Sequence, residues 1–286
     1  MGRLRYILHP IGCAKYLYRQ VNAVVYRRLS EPQFRDIRRG QRDLCWCGGE
    51  LLPFKWHPSY GVCADCGCYV DRRPPLQEEL KRVYSLDLYW HKRQKWRGYP
   101  PLETRAELYR LDGRLDYWLR LIEKYGPVHG KVIEVGCAPG VLLAELQKRG
   151  YECIGIEVDA KVAEWIHHVM NVDVRDGLFP GVEAPACNLF LAFDVLEHSS
   201  CPKEFMCEVS RLLNPDGIAI IQTAIDRYDY NPPFGKRFDM FDDIEHPFLF
   251  TDKAMQELAR RAGLEVLNLE EGLSLAGEIC IFRKPK

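Results

Sequence analysis

Hydrophobic and polar positions divide the chain into stretches of different period. Residues 12–29 place Ala14, Leu17, Tyr18, Val21, Val24 and Val25 at helical spacing, with Lys15, Arg19, Gln20, Asn22 and Arg27 around the rest of the wheel. That pattern predicts a basic amphipathic helix. Residues 43–75 lose the periodicity: the segment is cysteine-rich and closes on Arg72-Arg73-Pro74-Pro75. An aromatic connector with Tyr84, Tyr89, Trp90, Trp96 and Tyr99 runs to Pro100-Pro101. Leu108, Leu111, Leu115, Trp118, Leu119 and Ile122 then predict one helix over 103–125, stopped by Gly126-Pro127.

Beyond residue 130 the period alternates. A short β-branched run at 131–135 and further strand-like runs at 153–158, 172–174, 189–193 and 218–223 alternate with helical patterns at 139–149, 160–169 and 202–213. A helix at 252–262, capped by Gly263, and strands near 264–269 and 277–283 complete the chain. Strands alternating with helices predict an α/β fold with a doubly wound, Rossmann-like, seven-stranded sheet, its last two strands an antiparallel pair. Four regions follow: an arm at 1–42, the cysteine module at 43–75, a connector and cap at 76–126, and a Rossmann-like body at 127–286.

Composition narrows the class. At 286 residues and 47% hydrophobic the chain can bury a sizeable core, which excludes wholesale disorder. Its formal charge is zero, but residues 1–42 carry ten Lys/Arg against Glu31 and Asp36. The arm is therefore +8 and the remainder −8, an asymmetry that gives the arm its own partner. Two roles fit: packing on the body or a second subunit, or peripheral contact of residues 1–30 with an anionic membrane. No run of about 18 apolar residues could span a bilayer. His9, Lys15 and Arg19 interrupt any signal peptide, so the expected location is cytoplasmic, at most peripheral at the inner membrane surface. The oligomeric state is left open.

Val132-Ile133-Glu134-Val135-Gly136-Cys137-Ala138-Pro139-Gly140 joins a strand to a helix. Glycines there let a ligand approach the backbone, and the helix N-terminus offers free N–H groups. Glu157, twenty-one residues after Gly136 at the end of the next strand, is placed to accept both hydroxyls of a ribose. A dinucleotide fingerprint would need glycine where Ala138 and Val141 stand. The turn instead resembles motif I of class I S-adenosylmethionine-dependent methyltransferases, with Ala138 in place of the middle glycine.

The resemblance extends over residues 130–270. Asp176 matches the acid near the adenine amino group. Phe193-Asp194-Val195-Leu196-Glu197-His198 resembles the signature after the fourth strand in the ubiquinone-biosynthesis-like branch. Leu212-Leu213-Asn214-Pro215-Asp216-Gly217 is similar to the turn before the fifth strand. Glu245-His246-Pro247-Phe248-Leu249-Phe250-Thr251 follows that branch's tail. The resemblance implies S-adenosylmethionine as cofactor: Glu134, Gly136, Cys137, Ala138, Gly140 and Asp194 around its methionine end, Glu157 at the ribose and Asp176 at the adenine.

Of twelve cysteines, five crowd into residues 45–68. Cys45-x-Cys47-Gly48 and Cys63-x2-Cys66-Gly67, with fifteen residues between Cys47 and Cys63, describe two knuckles of a zinc ribbon, a structural Zn²⁺ held by Cys45, Cys47, Cys63 and Cys66. Because the first pair is Cys-x-Cys, Cys68 or His57 could substitute, and an unmetallated reduced cluster stays open. The module is similar to the zinc-binding amino-terminal domain found before some methyltransferases of sugar and surface-glycan biosynthesis. The acceptor implied is a small-molecule sugar or glycan precursor, nucleotide- or lipid-linked. Methyl transfer to a hydroxyl needs a base; His246 is the first candidate and His198 the second.

Residues 224–250 read as a substrate lid, with Tyr228, Tyr230, Phe234, Phe238 and Phe241 beside Asp226, Asp229, Asp239, Asp242, Asp243 and Glu245. Aromatic faces with acidic edges suit a sugar ring or a cationic amine, and the acidity argues against nucleic acid. Asn231-Pro232-Pro233-Phe234 resembles the catalytic tetrapeptide of adenine-N6 and glutamine-N5 methyltransferases, but it follows the fifth strand instead of the fourth and is read as coincidence. A nucleic-acid or protein methyltransferase docking through ribbon and arm is the alternative; a non-catalytic scaffold is a third reading, disfavoured by the intact motif spacing.

Overall fold

The structure is a computed structural model that describes residues 34–55, 57–95, 97–225, 241–242, 244–270 and 277–286. The predicted helix at 12–29, Asn231-Pro232-Pro233-Phe234 and most of the predicted lid lie outside the described residues.

Eleven described strands form two sheets. The larger has the order β10-β11-β8-β7-β4-β5-β6. Its strands are β4 (Lys131–Val135), β5 (Glu152–Glu157), β6 (Asp173–Asp176), β7 (Cys187–Phe193), β8 (Leu213–Thr223), β10 (Glu265–Glu270) and β11 (Glu278–Arg283). Pairing is parallel from β6 through β8, and β11 runs antiparallel to both β8 and β10. The expected α/β sheet of seven strands, mostly parallel and closed by an antiparallel pair, is the one observed.

Alternation explains why this sheet is buried on both faces. Side chains of successive strand residues point to opposite sides. Ile133, Phe190, Ala192, Ala219 and Phe282 enter one core, while Val132, Leu189, Leu191, Ile220 and Ile281 enter the other. The second core is covered by α2 (Arg114–Tyr125), α3 (Val141–Lys148) and α4 (Ala160–Met170), whose apolar stripes include Trp118, Leu142 and Ile166. The first is covered by α5 (Pro202–Leu212) and α6 (Asp252–Ala262) through Phe205, Met206, Met255 and Leu258. Caps set the ends: the Asp159 carboxylate accepts from Val162 N (3.0 Å) at α4, and the Thr251 hydroxyl from Ala254 N (3.1 Å) at α6.

Two sequence expectations are corrected. The single helix at 103–125 is two, α1 (Leu102–Leu111) and α2, because the chain turns at Gly113 with φ 79°. The helix expected to reach residue 213 ends at Leu212, and Leu213 already pairs with Cys187. A register shift between Cys187 and Leu189 accommodates Asn214-Pro215-Asp216-Gly217 within β8.

The smaller sheet, β1 (Leu51–Pro53), β2 (Tyr60–Cys63), β3 (Tyr69–Asp71) and β9 (Phe248–Leu249), is antiparallel throughout. Its first three strands belong to the cysteine module; β9 comes from the stretch expected to form the lid. Cys45, Cys63, Cys66 and Val70 share one apolar core with Phe248, Phe250 and Met255. The module is thus packed onto the body.

Phe190, fully buried at the centre of the sheet, provides a stability test. Replacing Phe190 with Ala is expected to cost about 3–5 kcal/mol in urea unfolding. Val128→Ala, at a position 88% exposed, is expected to stay within about 0.5 kcal/mol.

Candidate active site

From β4 the chain builds outward through β5 to β6, then returns to place β7 on the other side of β4. Connections leave in opposite directions at this reversal, opening a crevice at the carboxyl ends of β4 and β7. The predicted cofactor residues border it. Gly136 (φ 66°) and Gly140 (φ 82°) are left-handed, and a Cβ at either would lie 2.6 Å from Val195 Cγ2 or 2.4 Å from Ile166 Cγ2. Only glycine satisfies both demands. Glu134 is buried, with Oε2 lacking a hydrogen-bond partner, and burial together with the nearby Glu157 raises its pKa well above the ordinary value. An orphaned buried carboxylate oxygen beside a glycine cradle fits the cationic, backbone-contacting methionine end of S-adenosylmethionine.

Glu157 ends β5. Burial pushes its pKa up to about 7, opposed by backbone N–H groups of Val158, Ala138 and Asp159 that donate to it. Its register partner is Asp176, the exposed end of β6, so the two acids stand side by side. The Cys137 side chain is buried in the core covered by α2, α3 and α4, against Gly155 of β5. Asp194, directly after β7, has φ 57°, unusual for a non-glycine residue. Gln222 holds it twice: its carbonyl accepts from Asp194 N (2.9 Å) and its amide donates to Asp194 Oδ1 (2.8 Å). Trp118 Nε1 in turn donates to Gln222 Oε1 (3.1 Å), and its ring stacks on Phe193. Gln222 was not singled out from sequence, since a glutamine in a buried strand leaves no motif.

The two candidate bases meet. The imidazole centroids of His198, on a 3₁₀ turn after β7, and His246 lie 4.9 Å apart. His198 Nδ1 lies 2.6 Å from the Glu245 carbonyl. A carbonyl only accepts, so the ring proton is assigned to Nδ1 and Nε2 keeps its lone pair. Tyr84 completes the arrangement: its hydroxyl donates to the Glu245 carbonyl (3.1 Å), lies 2.9 Å from His198 Nδ1, and its ring packs edge-on against His198. Burial, then the neighbouring His246, pushes the His198 pKa down to about 4, so its ring is neutral near pH 7.

The acidic lid reading needs correction for its described part. Asp242 and Glu245 do not face an acceptor: Arg93 bridges both, Arg97 Nη1 donates to Glu245 Oε2 (2.9 Å) and Arg97 Nη2 to Asp242 Oδ2 (2.5 Å). Burial alone would raise both carboxyl pKa values; the two guanidinium charges outweigh it and lower them. Phe241 is likewise enclosed by Phe54, His57, Tyr60 and Tyr69. Arg93 and Arg97 lay in the aromatic connector, with no local signal of their partners about 150 residues away.

Candidate ligand atoms of Cys45, Cys47, Cys63 and Cys66 all lie within 4.8 Å of one another. Cys45 and Cys66 sulfurs are 3.6 Å apart and those of Cys47 and Cys63 3.4 Å. A tetrahedral ion with metal–sulfur bonds of about 2.3 Å separates its sulfurs by about 3.8 Å, so the four thiols fit Zn²⁺ with small adjustment. Neither alternative ligand belongs to this group: Cys68 is buried beside it, accepting from Trp46 Nε1 (3.5 Å), and His57 stands in the aromatic cluster. Glu197, His198 and His246 form a second grouping within 4.8 Å, but Glu197 Oε2 already accepts from Thr223 Oγ1 (2.7 Å).

Comparison with known proteins agrees with the geometry. Residues 105–269 match the methyltransferase domain family, and the chain belongs to it. A curated protein of Mycolicibacterium smegmatis, named "Probable S-adenosylmethionine-dependent methyltransferase", is 29% identical over 154 residues, 51% of this chain and 57% of its own length. The chain thus spans little more than half of that relative. The crystal structure of mitomycin 7-O-methyltransferase superposes with a TM-score of 0.52 at 14% identity, covering 72% of this chain and 62% of the other. The S-adenosylmethionine-dependent methyltransferase SibL gives 0.50 at 12%, covering 63% and 56%. At these identities the two share the fold. No helix among the described residues is long and apolar enough to cross a membrane.

Glu157 sets a pH test. A pKa raised to about 7 means that Glu157, the expected acceptor of ribose hydroxyls, is a carboxylate above that pH and protonated below it. Calorimetry is expected to show S-adenosylmethionine affinity falling by up to about tenfold from pH 8 to pH 6. Glu157→Gln should bind weakly at both, without that slope. The ion cluster sets a second test: Arg93→Met leaves buried carboxylates short of a partner and is expected to cost about 3–5 kcal/mol in urea unfolding.

Proposed function

We propose that the protein transfers the methyl group of S-adenosylmethionine to a hydroxyl of a small-molecule acceptor, a sugar or glycan precursor carried on a nucleotide or a lipid. The observation that carries this reading is the His198–His246 pair standing beside a glycine-turn cofactor crevice. When bound, S-adenosylmethionine supplies an electrophilic methyl for in-line displacement. The glycine turn with Glu134, Glu157, Asp176 and Asp194 binds and orients the cofactor. His246 takes the acceptor proton through its ring as the methyl bond forms. His198, held neutral and fixed by the Glu245 carbonyl and Tyr84, orients the acceptor hydroxyl with Nε2. Tyr84 and the body-side turn narrow the site and exclude water.

In this reading the regions keep their proposed bounds of 1–42, 43–75, 76–126 and 127–286. The ribbon holds one structural Zn²⁺ through Cys45, Cys47, Cys63 and Cys66, and the basic arm delivers the chain to an anionic surface in the cytoplasm. The glycan assignment rests on the pairing of a cysteine ribbon with this catalytic body. The hydroxyl as acceptor atom draws support from the histidine pair, since an alcohol must shed its proton as the methyl bond forms.

The test is methyl transfer from labelled S-adenosylmethionine to a panel of nucleotide-linked and lipid-linked sugars. Transfer to a sugar hydroxyl is expected, with His246→Ala lowering kcat by about 10²–10⁴-fold at unchanged S-adenosylmethionine affinity. A variant within about threefold of wild type would remove His246 as the base, and transfer only to RNA or protein would overturn the substrate class.

A further inference from the structure

The carbonyls on either side of the Glu245–His246 peptide are held by different parts of the molecule. The Glu245 carbonyl meets Tyr84 and His198, from the connector and the body. The His246 carbonyl instead accepts from the Tyr60 hydroxyl at 2.6 Å. Tyr60 opens β2, is 1% exposed, and lies three residues before Cys63. The next carbonyl, Pro247, accepts from Asp71 N at 2.9 Å, and Asp71 is the register partner of Tyr60. Val70 and Tyr69 then pair with Phe248 and Leu249 in β9. Finally Thr251, while capping α6, donates its hydroxyl to the Cys66 carbonyl at 2.7 Å. Every one of these contacts with residues 246–251 comes from the cysteine module.

We propose that Tyr60 is a positioning residue for His246 and that, through it, the metal-held ribbon forms one wall of the catalytic site. The inference rests on the reading of His246 as the base. It gives the ribbon a role beyond folding: two tight cysteine turns fix β2 and β3, and these fix the backbone from which the His246 ring projects. Without the ion, the two cysteine turns lose the metal–sulfur bonds that would tie them together. Metal loss therefore loosens β2 and β3 first, and His246 with them. Glu134, Gly136 and Glu157 make no described contact with the ribbon, so the cofactor crevice is left intact. The ribbon would thus control proton removal while leaving cofactor binding untouched.

The experiment uses the full-length, zinc-loaded chain labelled with ¹⁵N, recording histidine ring resonances with His246 assigned by His246→Gln. In Tyr60→Phe, zinc content of one per chain and S-adenosylmethionine affinity within about twofold of wild type are expected to persist. The His246 ring signals are expected to shift or broaden, while those of the exposed His91 and His168 stay in place. Unchanged His246 signals overturn the proposal. So does loss of zinc or of cofactor binding in the variant, which would mark Tyr60 as a general folding residue. As a second arm, chelating zinc from the wild-type chain should move the same His246 signals at retained S-adenosylmethionine affinity; an unmoved His246 or lost cofactor binding contradicts the proposal. If His246→Ala keeps full methyl transfer, the base reading fails by itself, while the link between ribbon and ring is still decided by these spectra.

Discussion

The parallel pairing of β4 with β7, Val132 with Leu189 through Val135 with Ala192, is the constraint on which the site depends. The sheet grows from β4 to one side first and then resumes on the other, so the two strands that meet there send their following segments apart. Much of the candidate site lies at their carboxyl ends. Glu134 sits near the end of β4, with Gly136 and Gly140 after it; Asp194, Glu197 and His198 follow β7. Burial of both sheet faces makes this arrangement rigid, because a one-residue slip would exchange the cores that Ile133 and Val132 occupy.

Polar groups at that junction have few ways to be satisfied, and the chain answers with directed networks. Trp118, Gln222 and Asp194 form one line, which keeps a non-glycine residue at φ 57°. Arg93 and Arg97 with Asp242 and Glu245 form another, a buried four-charge cluster that fastens the connector to the turn preceding His246. Such a cluster adds little net stability over apolar packing, but it is costly to break and specifies one arrangement. Its placement next to the histidine pair accords with that: the Glu245 carboxylate anchors the turn while its carbonyl fixes His198.

Much of this was legible in sequence, for identifiable reasons. Strand and helix periods marked seven strands and their order of appearance because the central strands are buried on both faces and each helix on one. Glycines forced by φ and by close approach, and acids at strand ends, left local motifs. The four cysteines announced themselves by spacing. What escaped was long-range and polar. Tyr84, Arg93 and Arg97 sit in an aromatic, charged segment where nothing local says that they close over a turn at 242–246. Asp242, Glu245 and Phe241 read as acceptor-facing because composition shows that a side chain is acidic or aromatic, not which way it points. The break at Gly113 was hidden by apolar residues that continue the helical period across it, and the pairing of β3 with β9 cannot be seen in either two- or three-residue run.

The proposed binding mode sets S-adenosylmethionine at the β4–β7 crevice with its methyl aimed at the histidine pair. A crystal structure with bound S-adenosylhomocysteine tests this most directly. The ribose is expected at Glu157, the adenine beside Asp176 and the sulfur directed toward His198 and His246. A ligand bound elsewhere, or one whose sulfur points away from both rings, would contradict it.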